Sequence, residues 1–160
     1  MLPLTTVLGN LCNAYLLNVI DCGIHSWTFK IHRLYTNYWG SSLDIGIWKI
    51  NQEPPKPTII DDNQFYGSCK DYYKYGYAFD SVRGKILKDN KFTTNYGKEC
   101  KNGYVIKMIL NLIDMELSYC INNINYGFAY KIEKTKYMAA IYVGTFEEFC
   151  IELVESNRIC

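Results

Sequence analysis

Apolar residues along this chain gather in short segments, rich in β-branched and aromatic side chains and separated by Gly, Asn or Asp. In Trp27-Thr28-Phe29-Lys30-Ile31 apolar and polar residues alternate with period two, as a strand with one buried face requires. Ile45-Gly46-Ile47-Trp48-Lys49-Ile50 repeats the pattern, and Gly46 leaves room there for another backbone or a bulky side chain. Over 105–112 the same period puts Ile106, Met108, Leu110 and Leu112 on a buried face and Lys107 and Asn111 on the other. The neighbouring strand buries Leu117, Tyr119 and Ile121, and Trp27, Phe29, Ile31, Ile45 and Ile47 are expected to pack against this hairpin.

Two stretches carry a competing period. Thr145 followed by Glu148 is a capping-box pattern, and Phe146, Phe149, Cys150 and Leu153 fall at helical spacing. Phe149, Ile151 and Leu153 also alternate, and strand is the assignment made over 145–155. Near the N-terminus Leu8, Leu11, Cys12, Tyr15, Leu16 and Val19 show helical spacing too, and over 8–20 the pattern does not decide between helix and strand. The proline cluster Glu53-Pro54-Pro55-Lys56-Pro57 lacks ladder donors and is expected as an exposed loop dividing the fold into two halves.

At 160 residues the chain has length for one domain, 1–160, with a substantial core. Fifteen Tyr, seven Phe and three Trp suit pleated, half-buried surfaces, so an all-β sandwich of two sheets is expected. Seventeen basic and sixteen acidic residues leave a net charge of +1, with no run of five like charges. Neither nucleic acid nor an anionic membrane is therefore an expected partner. The seven cysteines contain no Cys-x-x-Cys pair, and no Asn lies in a glycosylation sequon. They read as reduced, mostly buried small hydrophobes in a cytoplasmic or otherwise intracellular protein. Neither a signal peptide nor a membrane span is expected.

The most specific stretch runs from Gly103-Tyr104-Val105-Ile106 through Leu110-Asn111 and Leu117-Ser118-Tyr119 to Asn122-Asn123 and Gly127-Phe128-Ala129-Tyr130. It resembles the signature of the SPRY (B30.2-type) domain family. Gly23-Ile24-His25-Ser26-Trp27 resembles an earlier strand of that family, and Ile45-Gly46-Ile47 the strand after it. Tyr66-Gly67-Ser68, then Tyr75-Gly76-Tyr77, then Tyr96-Gly97 complete an ordered set covering about 23–154, with 1–22 shortened or divergent. The departures are Tyr104 for the family's acidic residue, Lys107 for its second glycine, Asn111 for the Asp of Leu-Asp, and Asn122-Asn123 for Asn-Gly. The last keeps the turn, because Asn is the non-Gly residue most at ease in a left-handed conformation. The resemblance implies a bent antiparallel β-sandwich of concanavalin-like, jelly-roll architecture.

Catalysis is not expected. His25 and His32 are the only histidines available to activate a nucleophile, and His25 reads as a structural residue at a sheet edge. No Gly-rich phosphate loop and no metal-ligand spacing occurs, so no cofactor and no metal are expected. Tyr-rich loops are the positive signal: Tyr38 and Trp39 lie in one, and Tyr73 in another with Tyr72 and Tyr75. Tyr offers contact area at low entropic cost with a polar handle. The resemblance implies a monomeric, non-enzymatic module that binds a protein or peptide through loops at one end of the sandwich. It carries contacts over to Phe65, Tyr66, Gly67 and Ser68, and to Tyr142, Val143 and Gly144, with Val143 where a Trp stands in the family. It also implies a link to ubiquitin-ligase systems. A lectin-like carbohydrate-binding sandwich, with Tyr38 or Trp39 stacking on a sugar, is the alternative.

Overall fold

The computed structural model describes residues 6–15, 19–34, 42–50, 76–89 and 91–159, with the backbone alone described over 6–15 and 145–148. Among them are ten strands: β1 (Thr6–Tyr15), β2 (Ile24–Arg33), β3 (Ser42–Lys49), β4 (Gly76–Asp80), β5 (Lys85–Lys88), β6 (Lys91–Asn95), β7 (Val105–Asn111), β8 (Glu116–Ile121), β9 (Ile124–Lys131) and β10 (Tyr137–Ile159). No helix occurs among the described residues. The proline cluster at 53–57 lies outside them.

Every pairing is antiparallel, and β10 belongs to both layers. Its first part pairs with β3 from Tyr137↔Lys49 to Gly144↔Ser42, continuing outward through β4 and β5 to β6. Its second part pairs with β2 from Cys150↔Arg33 to Ile159↔Ile24, continuing through β7 and β8 to β9. The two five-stranded sheets fold over each other as a β-sandwich. Strand β1 runs beside β10 across the changeover, where Gly9↔Phe149 follows Leu11↔Gly144. That irregularity bends β10 from one sheet to the other, the usual work of a β-bulge.

Strand is thus the outcome over 145–155 and over most of 8–20. The local capping-box signal yields because β1 and β2 flank 150–152 from both sides and supply backbone partners there. Phe149 and Ile151 then point into the core.

The core lies between the sheets. Trp27, Phe29 and Ile31 meet Ile106, Met108, Leu110, Leu117, Tyr119 and Ile121 from the second sheet, and Leu43, Ile45, Ile47, Tyr77 and Phe79 from the first. Leu112 falls just beyond β7 and is only partly buried against the core. Tyr119 ties the layers together, its hydroxyl donating to the Ile45 carbonyl at 2.7 Å. The Asn122-Asn123 turn has both residues at positive φ, 49° and 64°, the two-residue geometry that matches strand twist. Asn111 accepts from the amides of Ile113 and Asp114, serving as the Asx-turn residue where the family pattern has Asp.

Two expectations need correction. β3 does not have one open face: all eight residues are buried, Trp48 and Lys49 among them. His25 is not at a sheet edge, since β2 lies between β10 and β7. Its Nε2 donates to the Cys22 carbonyl at 2.8 Å and its ring stacks on Trp27, a structural role.

Candidate functional site

Tyr142, Val143 and Gly144 close the part of β10 that belongs to the first sheet, with Gly144↔Ser42 the last pair before the bend. Alternation splits them. Val143 points inward and is fully buried in the core, so its side chain is not on a binding surface. Tyr142 points to the outer face, grouped with Ala78, Leu87 and Ala140. A methyl carbon on Gly144 would lie 2.7 Å from the Tyr142 hydroxyl and 3.2 Å from the Ser42 hydroxyl. The space that glycine leaves is therefore used by Tyr142 folding back along its own strand. Phe65, Tyr66, Gly67 and Ser68 lie outside the described residues, as do Tyr38, Trp39 and Tyr73.

Registers across the first sheet assemble two rows on the outer face. One runs Tyr142, Asp44, Asp80, Lys85 and the other Ala140, Gly46, Ala78, Leu87, Phe92. Gly46 is required in the second row: a methyl carbon there would stand 2.1 Å from the Tyr77 carbonyl oxygen and 2.7 Å from Ala78.

The first row holds a carboxylate pair that the sequence reading missed. Asp44 and Asp80 stand directly opposite each other on adjacent strands, both buried. Asp80 closes the turn after β4: its Oδ1 accepts from the amides of Val82 and Arg83 at 3.0 and 3.1 Å, and its Oδ2 from Arg83 Nη1 at 2.7 Å. Burial pushes the Asp44 carboxyl well above the ordinary carboxylate range, Asp80 pushes it the same way, and Arg83 opposes. Burial raises Asp80 too, against the hydrogen bonds and charge of Arg83. Two like charges cannot both be held at such spacing without cost, and the hydrogen bonds and charge of Arg83 oppose that rise most directly at Asp80. The Asp80-Ser81-Val82-Arg83-Gly84 segment was readable as an Asx-capped turn. What the sequence hid was the register that brings Asp44 beside it.

No arrangement for nucleophilic catalysis forms among the described groups. His32 pairs with Glu152 and His25 with a backbone carbonyl. Of the four described cysteines, Cys100 is buried and its thiol is pushed by burial up to about 12. Cys120 and Cys150 are half-buried and Cys22 is exposed, so of the four described cysteines only Cys100 is fully buried, and the other three lie outside the described side chains. Among the described residues no three His, Cys, Asp or Glu converge as metal ligands, and no helix is long and apolar enough to cross a membrane.

The bent sandwich, with its sheets joined through β10 and its Asn-Asn hairpin between β8 and β9, defines a fold of SPRY type. No family model matches the chain. Among solved structures, the SPRY domain of human HERC1 superposes with a TM-score of 0.67 at 12% sequence identity, over 91% of this chain and 82% of that one. At that identity the likeness is one of fold.

Proposed function

We propose that this chain is a non-enzymatic interaction module that holds a short peptide or a protein surface at the end of the sandwich where β10 leaves the first sheet. The observation that carries the reading is the SPRY-type fold together with the position of Tyr142–Gly144 beside that bend. In this reading Phe65, Tyr66, Gly67 and Ser68 supply the loop side of the site and Tyr142 the strand side. Val143 supports it from within the core, and Gly144 leaves room for the Tyr142 hydroxyl. The module acts as a monomeric adaptor inside the cell, and by family analogy the system it serves is one such as ubiquitin ligation. Rigid sandwich ends bearing variable loops suit recognition because the scaffold bears the folding cost and the loops bear the contacts.

The test is a peptide-display screen run in parallel with a glycan array, using the full chain and its Tyr66→Ala and Tyr142→Ala variants, with the thermal midpoint as fold control. Selected peptides should lose about tenfold or more in affinity to a variant that keeps its midpoint, as loss of an aromatic anchor does. Binding to glycans alone would overturn the reading in favour of a lectin.

A further inference from the structure

Among the described residues strand β6 ends the hydrogen-bonded path of the first sheet, so one of its backbone edges meets β5 and the other pairs with no described strand. All five of its residues, Lys91 to Asn95, are exposed. On the outer face, Ala140, Ala78 and Leu87 are covered, but the row ends at Phe92, which is 51% exposed. Two cations approach the Phe92 ring, the Arg83 guanidinium at 5.8 Å and Lys85 Nζ at 5.7 Å from its centroid. An aromatic contacted in this way is held in position with apolar area still open to solvent.

Charge concentrates at the same edge. Between Asp80 and Glu99 the chain carries Arg83, Lys85, Lys88, Lys91 and Lys98 against Asp80, Asp89 and Glu99, a net of +2 in a chain whose total is +1. Lys88 and Lys91 stand directly opposite each other across the β5–β6 hairpin, a like-charge pair that disfavours the hairpin. Of the local acids, Asp89 Oδ1 lies 3.6 Å from Lys49 Nζ and Asp80 is paired with Arg83.

We propose that the open edge of β6 is a docking surface for an extended acidic segment of a partner protein. The segment adds as a further strand, its carboxylates on the face that carries Lys88 and Lys91 and its apolar side chains on the opposite face, against Phe92. Three features select this occupant. The unpaired edge offers backbone donors and acceptors in the spacing a strand reads. The lysines that repel a second copy of the same edge, as edge lysines generally do, attract a strand of opposite charge. A nucleic acid would use the cations but leave the backbone edge unsatisfied. The proposal does not depend on the site proposed at 65–68 and 142–144.

The experiment titrates the full chain into a fluorescein-labelled octapeptide of alternating Glu and Val at low salt, followed by anisotropy. Binding should weaken as salt is raised, and by about tenfold in Lys91→Glu and in Phe92→Ala at an unchanged thermal midpoint. Lys91→Ala, a milder change at an exposed position, should weaken it in the same direction. The same peptide N-methylated at alternate residues along one edge, and a Lys-Val octapeptide, should not bind. Equal binding of the peptide methylated on either edge would overturn strand addition. So would the absence of binding by the Glu-Val peptide, unchanged affinity in the folded variants, or tighter binding of an oligothymidylate.

Discussion

The two sheets of this sandwich use the strand period differently. In the second sheet, β2, β7 and β8 alternate buried and partly exposed positions almost without a break. Ser26, Thr28, Lys30, Lys107 and Ser118 hold the open face. In the first sheet β3 and β4 are buried at every position, so their outward residues Asp44, Gly46, Trp48, Ala78 and Asp80 are as inaccessible as the inward ones. Doubly covered strands make different demands. Small residues become necessary where backbones and covers crowd together, as at Gly46 and Ala78, and an ionisable residue on the outer face must find a partner or a proton, as Asp44 and Asp80 do. A one-faced strand tolerates lysines and serines that a two-faced strand would reject.

The largest effect should be one the sheets share. Phe29→Ala in the second sheet and Phe79→Ala in the first each remove a buried ring from one common core, and each should cost about 3–5 kcal/mol. Denaturant midpoints that fall for one variant and not for the other would break the single-core description.

The outer faces should then diverge. Ala78→Leu, on the covered face of the first sheet, overpacks a position that is fully buried beside Leu87, Ala140 and Tyr142, and should cost about 1–3 kcal/mol. A stability equal to that of the wild type would show that this face has free space.

The acidic pair separates the sheets by pH. A carboxyl held above its ordinary range in the folded state contributes stability that is fully present below about pH 4 and lost as pH rises through the raised value. Asp44→Asn mimics the protonated form. Its thermal midpoint should match the wild type near pH 4 and exceed it increasingly toward neutrality. A wild-type midpoint that gains on the variant as pH rises would show Asp44 ionised against Arg83 instead.

The smallest effect belongs to the open face. Ser118→Leu, the outward counterpart in β8, adds the same side chain beside Ile109 and Phe128 and should change stability by no more than about 0.5 kcal/mol. A loss as large as that of Ala78→Leu would mean the face is covered after all.

Much of the second sheet was legible because its physics is local. Trp27-Thr28-Phe29-Lys30-Ile31 and Ile106-Lys107-Met108 state their burial in their own period, and Asn122-Asn123 states its turn, since few other residues accept positive φ in succession. The inward face of β3 was readable for the same reason, through Ile45 and Ile47. Its outward face was not, because alternation reports one buried side and falls silent when both are.

The assignment of strand over 145–155 shows where local information was evenly divided. Thr145 and Glu148 favour a helix start, while Phe149, Ile151 and Leu153 favour a strand, and only flanking β1 and β2 supply the hydrogen bonds that decide it. The candidate site behaves in the same way. Its residue types were visible in Tyr142-Val143-Gly144, but which of the three faces outward depended on β10 crossing between sheets.

Sequence alone determined the fold class, the core of the second sheet and its turns, since period, volume and φ preference are properties of residues and near neighbours. Tertiary structure decided that Val143 belongs to the core, that Asp44 meets Asp80, and that among the described strands β6 ends a sheet with Phe92 near Arg83 and Lys85. Each depends on register between strands far apart in the chain, which a one-dimensional pattern does not carry.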